Sequence, residues 1–120
     1  MKINFRFKDT ILFEDEDYVV ISKPSFISTL EDRNDPQNIL AAAKEYAEDM
    51  QVCHRLDKET SGVLALAKNP EAYRHLSMQF ENREVTKYYH AVVDGIHGFH
   101  VELVDKPILK QNDGTVKISR

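Results

Sequence analysis

A nine-residue segment, HRLDKETSG at residues 54–62, holds the densest set of side chains that could do chemistry. It crowds charged and hydrogen-bonding groups between two apolar stretches. One interpretation is a plain polar loop, with an Asx-type turn between Asp57 and Thr60. The other is a catalytic site, in which Asp57 acts as a carboxylate and the guanidinium of Arg55 favours its ionised form. Composition alone leaves both interpretations open.

Other kinds of catalytic site find less support. The five histidines form no HExxH pattern and no pair three or four apart on a predicted helix, so we expect no metal site. The four glycines form neither GxGxxG nor a Walker loop, so we expect no organic cofactor held in those ways. Cys53 precedes His54, but neighbours on a strand point to opposite faces, and we interpret Cys53 as a buried structural thiol.

The composition is that of a folded domain with a modest core. The chain has 120 residues, of which 42% are hydrophobic and 30% charged. No apolar run approaches the roughly 18 residues that span a membrane, and the single cysteine suits a reducing cytoplasm. The formal net charge of −4 does not suggest a general nucleic-acid binder, so any RNA hypothesis must rest on local groups.

Apolar patterns predict an α+β fold with a mixed, mostly antiparallel sheet flanked by two helices. The run at 63–67 is continuous, which predicts a strand buried on both faces. Predicted strands lie at 10–13, 18–22, 63–67 and 85–93, with weaker signals at 100–104 and 116–119.

Two acid- or amide-proline pairs predict the helix starts, because a capping side chain followed by proline suits the first turn. These pairs are Asp35-Pro36 and Asn69-Pro70, and the second helix is expected to end near 82–83. The apolar faces comprise Ile39, Ala43, Tyr46, Ala47 and Met50 in the first helix and Ala72, Tyr73, Leu76 and Phe80 in the second.

Segment 54–62, with VLALAK after it, closely resembles the signature HRLDxxTSGxxxxAK of the RluA-type RNA pseudouridine synthases. Residues 11–24 are similar to the opening strand pair of that family, which ends in Lys-Pro. Residues 85–95 are similar to its later Lys-x-Tyr-x-Ala strand. The resemblance implies the first half of the family's catalytic domain. It also implies isomerisation of uridine to pseudouridine in tRNA or rRNA, without metal or organic cofactor.

The resemblance also implies roles for five residues. Asp57 matches the catalytic aspartate, which acts on the ribose while positive charge develops at C1′; attack on C1′ and removal of a ribose proton both stay open. Tyr89 matches a tyrosine that packs on the uracil and helps to handle the C5 proton, although packing alone would favour a core tyrosine. Arg55 matches the arginine that displaces the flipped base. His54 and Thr60, assigned to substrate binding, are expected to shape the turn that presents Asp57.

The chain departs from the family pattern in two places. Ser25 and Phe26 follow Lys23-Pro24 where the family has a small residue and then glycine, so we expect this loop to take a different path. The family's TGRxHQIR-like segment, whose arginine pairs with the catalytic aspartate, is not found, and no S4-like module precedes residue 1. We therefore expect residues 1–120 to be a single partial catalytic domain, with an open sheet edge that a homodimer would cover.

Two other functions remain as alternatives. One is a non-catalytic RNA-binding or assembly module that has kept the fold, which the acidic charge balance favours. The other is a glycosidase-like hydrolase, which needs a second acid beside Asp57, and Glu59 is the nearest in sequence. The intact segment 54–62 and Tyr89 favour the pseudouridine synthase, acting on RNA in the cytoplasm.

Overall fold

The computed structural model describes residues 4–33, 35–92, 94–95, 108–110 and 116–118. The chain forms two compact units, residues 1–87 and residues 88–120. The first unit holds a four-stranded sheet and two helices, which confirms the predicted α+β fold. A 3₁₀ turn at Phe7–Thr10 precedes the strands β1 (Ile11–Glu14), β2 (Tyr18–Lys23), β3 (Gln51–Val52) and β4 (Gly62–Ala67) and the helices α1 (Ile39–Tyr46) and α2 (Pro70–Glu81).

The sheet has the order β1-β2-β4-β3, and each neighbouring pair is antiparallel. Strand β4 is therefore central, and its start at Gly62 pairs with the end of β2 at Lys23. This register places the segment that precedes β4 beside the segment that follows β2. Both candidate segments of the sequence, 54–62 and the loop after Lys23-Pro24, thus meet at one end of the sheet.

The two helices pack on opposite faces of the sheet, because side chains alternate along each strand. Helix α1 buries Ile39 and Ala43 in a core that includes Leu64 and Leu66 of β4. Helix α2 packs Ala72 against a smaller cluster that includes Ala67, Cys53 and Tyr18. The prediction that 63–67 is buried on both faces is wrong at its beginning, because Val63 is 63% exposed. The cluster under α2 includes Ala67 but not Val63.

Each helix begins directly after a residue whose side chain caps its first turn. Helix α2 begins as predicted, with the Asn69 side chain accepting the Ala72 N–H at 2.8 Å and Pro70 in the first turn. The predicted start of α1 at Asp35-Pro36 is wrong. There the Asp35 carboxylate accepts the Gln37 N–H in a local turn, and Asn38 is the cap instead, accepting the Ala41 N–H at 2.8 Å.

The predicted strand at 85–93 is not formed over 85–92, and Val93 lies outside the described residues. A strand needs a partner for its backbone groups, and none of the described strands pairs with this run. In the second unit, β5 (Ile108–Lys110) and β6 (Val116–Ile118) form an antiparallel pair, which confirms the strand signal at 116–119. The signal at 100–104 lies outside the described residues.

Candidate active site

Asp57 stands on an exposed turn directly before β4. The turn is closed by the Asp57 carbonyl, which accepts the Thr60 N–H at 3.0 Å. The backbone carbonyl of Asp57 thus closes this turn, whereas the Asp57 side chain would close an Asx-type turn. The Asp57 carboxylate is exposed, and it forms no hydrogen bond or ion pair with any other residue in the part of the chain described. It is therefore available to a substrate.

The residue before Asp57 is anchored in the core. Leu56 is buried, and both of its backbone groups bond to the hydroxyl of Thr29. The Leu56 N–H donates to Thr29 Oγ1 at 3.2 Å, and Thr29 Oγ1 donates to the Leu56 carbonyl at 2.9 Å. Thr29 is itself buried, so water cannot easily replace these bonds. One hydroxyl thus fixes the backbone immediately before the candidate carboxylate.

The residue after Asp57 is anchored by a buried lysine. The Lys23 side chain is fully buried, and its Nζ donates to the carbonyls of Pro24, Ile27 and Lys58 at 2.9, 2.6 and 3.1 Å. Burial lowers the pKa of Lys23, and the negative charges of Glu59 and Asp57 oppose this effect. The ammonium therefore joins the loop after β2 to the Asp57 turn.

The loop after Lys23-Pro24 reaches the same carbonyl by its backbone. The Phe26 N–H donates to the Lys58 carbonyl at 2.6 Å, and Phe26 has a φ of 68°. Positive φ is the conformation that glycine adopts without steric cost. The chain therefore takes a glycine-type backbone at this position although the residue is phenylalanine. The expectation of a different loop path finds no support in this φ value.

Cationic groups flank the turn without neutralising Asp57. Arg55 is exposed and forms no ion pair with Asp57 within the described residues. The Lys58 ammonium lies 3.7 Å from an oxygen of Asp32 and 3.8 Å from one of Asp35. Long, partly exposed pairs of this kind contribute little to stability. The guanidinium of Arg55 is thus free to contact a ligand, and the ammonium of Lys58 can exchange its partners at low cost.

The His54 side chain connects the segment before Asp57 to neighbouring elements of the fold. Its Nε2 accepts the backbone N–H of Ala65 at 3.0 Å, and its ring stacks on Phe80 with centroids 4.2 Å apart. Burial lowers the pKa of His54, and the nearby charge of Lys87 lowers it further. The neutral ring is the form that can accept this hydrogen bond. His54 therefore joins the segment before Asp57 to β4 and to helix α2.

Gly62 has a φ of 134°, a backbone conformation that glycine adopts readily and that a β-carbon would hinder. The nearby thiol of Cys53 is buried, as expected, and burial raises its pKa to about 11. A thiol with so high a pKa is a poor nucleophile at neutral pH. Within the described residues, no group of three or more His, Cys, Asp or Glu side chains could hold a metal ion.

Tyr89 lies in the second unit, in a segment without regular secondary structure. Its side chain is 62% exposed. This exposure does not suit the alternative in which Tyr89 is a core residue. Its role toward a substrate remains a prediction.

Sequence reasoning missed the two residues that fix the turn. The Lys23-Pro24 pair by itself predicts only the end of a strand, and no residue pattern distinguishes Thr29 in the loop that follows. Hydrogen bonds of both residues join segments about 30 positions apart in the chain. The spacing of hydrophobic residues within one helix or strand therefore cannot predict them. The signal that could have found Lys23 is its place in β2, where alternation puts it on the same face as Val19 and Ile21.

The chain is similar to known proteins over most of its length. The family model described as RNA pseudouridylate synthase matches residues 17–119. A ribosomal large subunit pseudouridine synthase C of Vibrio vulnificus is 33% identical over 112 residues, which is 91% of this chain and 36% of that protein. The synthase of the same name from Pasteurella multocida is 37% identical over 103 residues, 83% of this chain and 32% of that protein.

Solved structures agree with the sequence comparisons. Human RNA Pseudouridylate Synthase Domain Containing 4 superposes with a TM-score of 0.56 and 31% identity, over 65% of this chain and 31% of that one. The chain thus spans about a third of the length of the relatives it matches. Among the described residues, no helix is long and apolar enough to cross a membrane. With the match extending over residues 17–119, the chain belongs to the RNA pseudouridylate synthase family.

Proposed function

We propose that this chain carries the catalytic aspartate of an RNA pseudouridine synthase, an isomerase that converts uridine to pseudouridine in tRNA or rRNA. The observation that supports the proposal best is the Asp57 carboxylate. It is exposed and without a hydrogen-bond or ion-pair partner in the described part of the chain, on a turn whose backbone is held on both sides. Preorganised groups of this kind are typical of catalytic sites.

The reaction needs a carboxylate on the ribose side of the uridine. The bond between N1 and C1′ breaks, the uracil turns, and a bond forms between C5 and C1′. C5 then loses its hydrogen as a proton and N1 gains a proton, so that the product is an isomer of the substrate. Positive charge develops at C1′ as the first bond breaks, and a carboxylate stabilises or captures that charge. Asp57 would perform this step. Because the reaction is an isomerisation, it requires no external oxidant, reductant or group donor.

The other site residues receive supporting roles in the proposal. Arg55, exposed and unpaired among the described residues, would enter the space that the flipped base leaves. Tyr89 would pack on the uracil and help to handle the C5 proton. The contacts of His54 and the backbone bond of Thr60 favour a role in shaping the turn that binds the substrate.

The setting of the reaction follows from the same proposal. The partner would be RNA in the cytoplasm, with no metal or organic cofactor.

We also propose that a second copy of the chain covers the open edge of the sheet. Leu12 and Phe13 on edge strand β1 are exposed, which supports an association through apolar side chains. A monodisperse monomer in light scattering at high protein concentration would contradict this homodimer.

A non-catalytic RNA-binding or assembly module is the second candidate. It is favoured by the acidic surroundings of the turn, where Asp32 and Asp35 hold the ammonium of Lys58. Negative charge at this position weakens the attraction of phosphate groups, so within this candidate it favours an assembly role over RNA binding. Either form of the candidate keeps the fold but makes no use of the Asp57 carboxylate.

Release of tritium from RNA labelled at uridine C5 separates the two candidates, because C5 loses its hydrogen only when the isomerisation occurs. The assay compares this chain, the full product of its gene, and the Asp57→Asn variant of each. Asp49→Asn is the matched control, because Asp49 is also exposed. We expect release that Asp57→Asn abolishes and Asp49→Asn preserves. If neither form releases tritium from bulk tRNA or rRNA, the binding module becomes the better description.

A further inference from the structure

Phe26 has a backbone conformation that its own side chain makes unfavourable. Its φ of 68° lies in the left-handed region, where a bulky residue is a genuine outlier. Gly62 and Gly95 also have positive φ, and there the residue type removes the cost. A phenylalanine in this conformation must be held by its surroundings.

The ring contributes little to the core. Phe26 is 55% exposed, whereas the next residue, Ile27, is fully buried. Phe26 belongs to neither of the hydrophobic clusters found in the described residues. Packing therefore does not explain why an aromatic residue occupies a position that suits glycine.

The position of Phe26 relates it to the candidate active site. Its N–H is bonded to the carbonyl of Lys58, the residue directly after Asp57, at 2.6 Å. The Lys23 ammonium binds the carbonyls of Pro24 and Ile27 on either side of it. The backbone that carries the exposed ring is thus held by three hydrogen bonds, one of which joins it to the Asp57 turn.

We propose that Phe26 is a base-stacking residue, whose ring packs on a nucleobase of the RNA strand that enters the Asp57 site. This inference rests on the proposed function. Strained residues that the surrounding structure holds in place cluster at ligand sites. The exposed ring stands on a loop whose backbone is bonded to the segment that carries Arg55 and Lys58. Single-stranded RNA is held by these two elements, aromatic stacking and contact of cationic side chains with phosphate. Stacking of this kind tolerates any base, so Phe26 adds affinity more than sequence preference.

The absence of tryptophan from the sequence makes a direct test possible. The Phe26→Trp variant has one tryptophan, whose fluorescence a stacked base quenches. Tyr73→Trp is the matched control, since Tyr73 is 41% exposed and lies on α2. The probes are a uridine 12-mer and inorganic polyphosphate, an anion without bases. We expect the 12-mer to quench the F26W variant and to leave Y73W unchanged, and polyphosphate to quench neither.

Two further variants measure the contribution of the ring to affinity. Phe26→Gly removes the ring and relieves the backbone, and Phe26→Leu removes only the aromatic face. Both should weaken binding of the 12-mer by about 5- to 150-fold, as loss of one base stack does. The melting temperature of Phe26→Gly should not fall, because glycine suits the positive φ.

Three results overturn the inference: no quenching of F26W by the 12-mer, unchanged affinity in Phe26→Gly, or no binding of the 12-mer by the unmodified chain. Tritium release that depends on Asp57 would uphold the proposed function in each case. Conversely, quenching without tritium release from the full gene product would keep the stacking residue and remove the synthase.

Discussion

Replacing Thr29 by valine tests whether the core holds the Asp57 turn. The hydroxyl of Thr29 is the partner of both the N–H and the carbonyl of Leu56, at 3.2 and 2.9 Å, and both residues are buried. Valine keeps the shape and removes the hydroxyl, so two buried backbone groups lose their partner. Each such group costs roughly 1–3 kcal/mol, and we expect the free energy of unfolding to fall by about 2–6 kcal/mol.

Urea unfolding followed by circular dichroism measures this loss. Thr10→Val is the matched control, because the Thr10 hydroxyl makes one hydrogen bond, to the Phe7 carbonyl, and should cost about 1 kcal/mol. Thr29→Ser keeps the hydroxyl and should recover most of the stability. Tritium release by the full gene product should fall with Thr29→Val more than with Thr10→Val. Equal losses in the two valine variants would refute the view that Thr29 anchors the turn.

Three further predictions concern titratable groups that are buried or half-buried. Lys23→Met removes the donor to three carbonyls and should lower the free energy of unfolding by about 1–3 kcal/mol in urea titrations. Burial lowers the pKa of His54, so its stabilising bond to Ala65 is fully present above about pH 6.5 and is lost as the pH falls through the folded pKa. Urea titrations from pH 7 to 5 should show this loss in the native chain and not in His54→Gln. The Cys53 thiol, with its pKa raised to about 11, should react with a disulfide reagent at pH 8 only after unfolding.

Each of these predictions has a result that would contradict it. Lys44→Met is the control for Lys23→Met, since Lys44 is exposed, and equal effects of the two substitutions would remove Lys23 from its anchoring role. An identical pH dependence in the native chain and His54→Gln would show that the His54 bond contributes nothing. Rapid modification of Cys53 in the native protein would show that the thiol is accessible.

Much of the architecture was predictable because local patterns carry it. The pair Asn69-Pro70 marked the start of α2, since an amide side chain and a proline satisfy the first turn by themselves. The similar pair Asp35-Pro36 failed because Asp35 has a local partner in the Gln37 N–H, and Asn38 took the capping role. Local rules thus name the candidate caps, and competition between neighbouring groups decides among them.

The strand predicted at 85–93 shows a different limit. Its residues have strong strand propensity, but propensity only describes how well side chains suit a pleated surface. A strand forms where another strand supplies the hydrogen bonds, and no described strand pairs with 85–92. Pairing is a property of the assembled sheet, which a single run of residues cannot determine.

The sequence by itself determined which reactive groups are present, the carboxylate of Asp57 and the guanidinium of Arg55. Its signature at residues 54–62 was also specific enough to indicate the family. Only the tertiary structure decided how that carboxylate is held. Lys23 and Thr29 reach the turn across about 30 residues of chain, and their hydrogen bonds exist only after β2 pairs with β4. Phe26, with its positive φ and exposed ring, is likewise bonded through its N–H to the carbonyl of Lys58, 32 positions further along the chain. The alternation within a strand determines which of its faces is buried, but not which strand it pairs with, and contacts distant in sequence depend on that pairing.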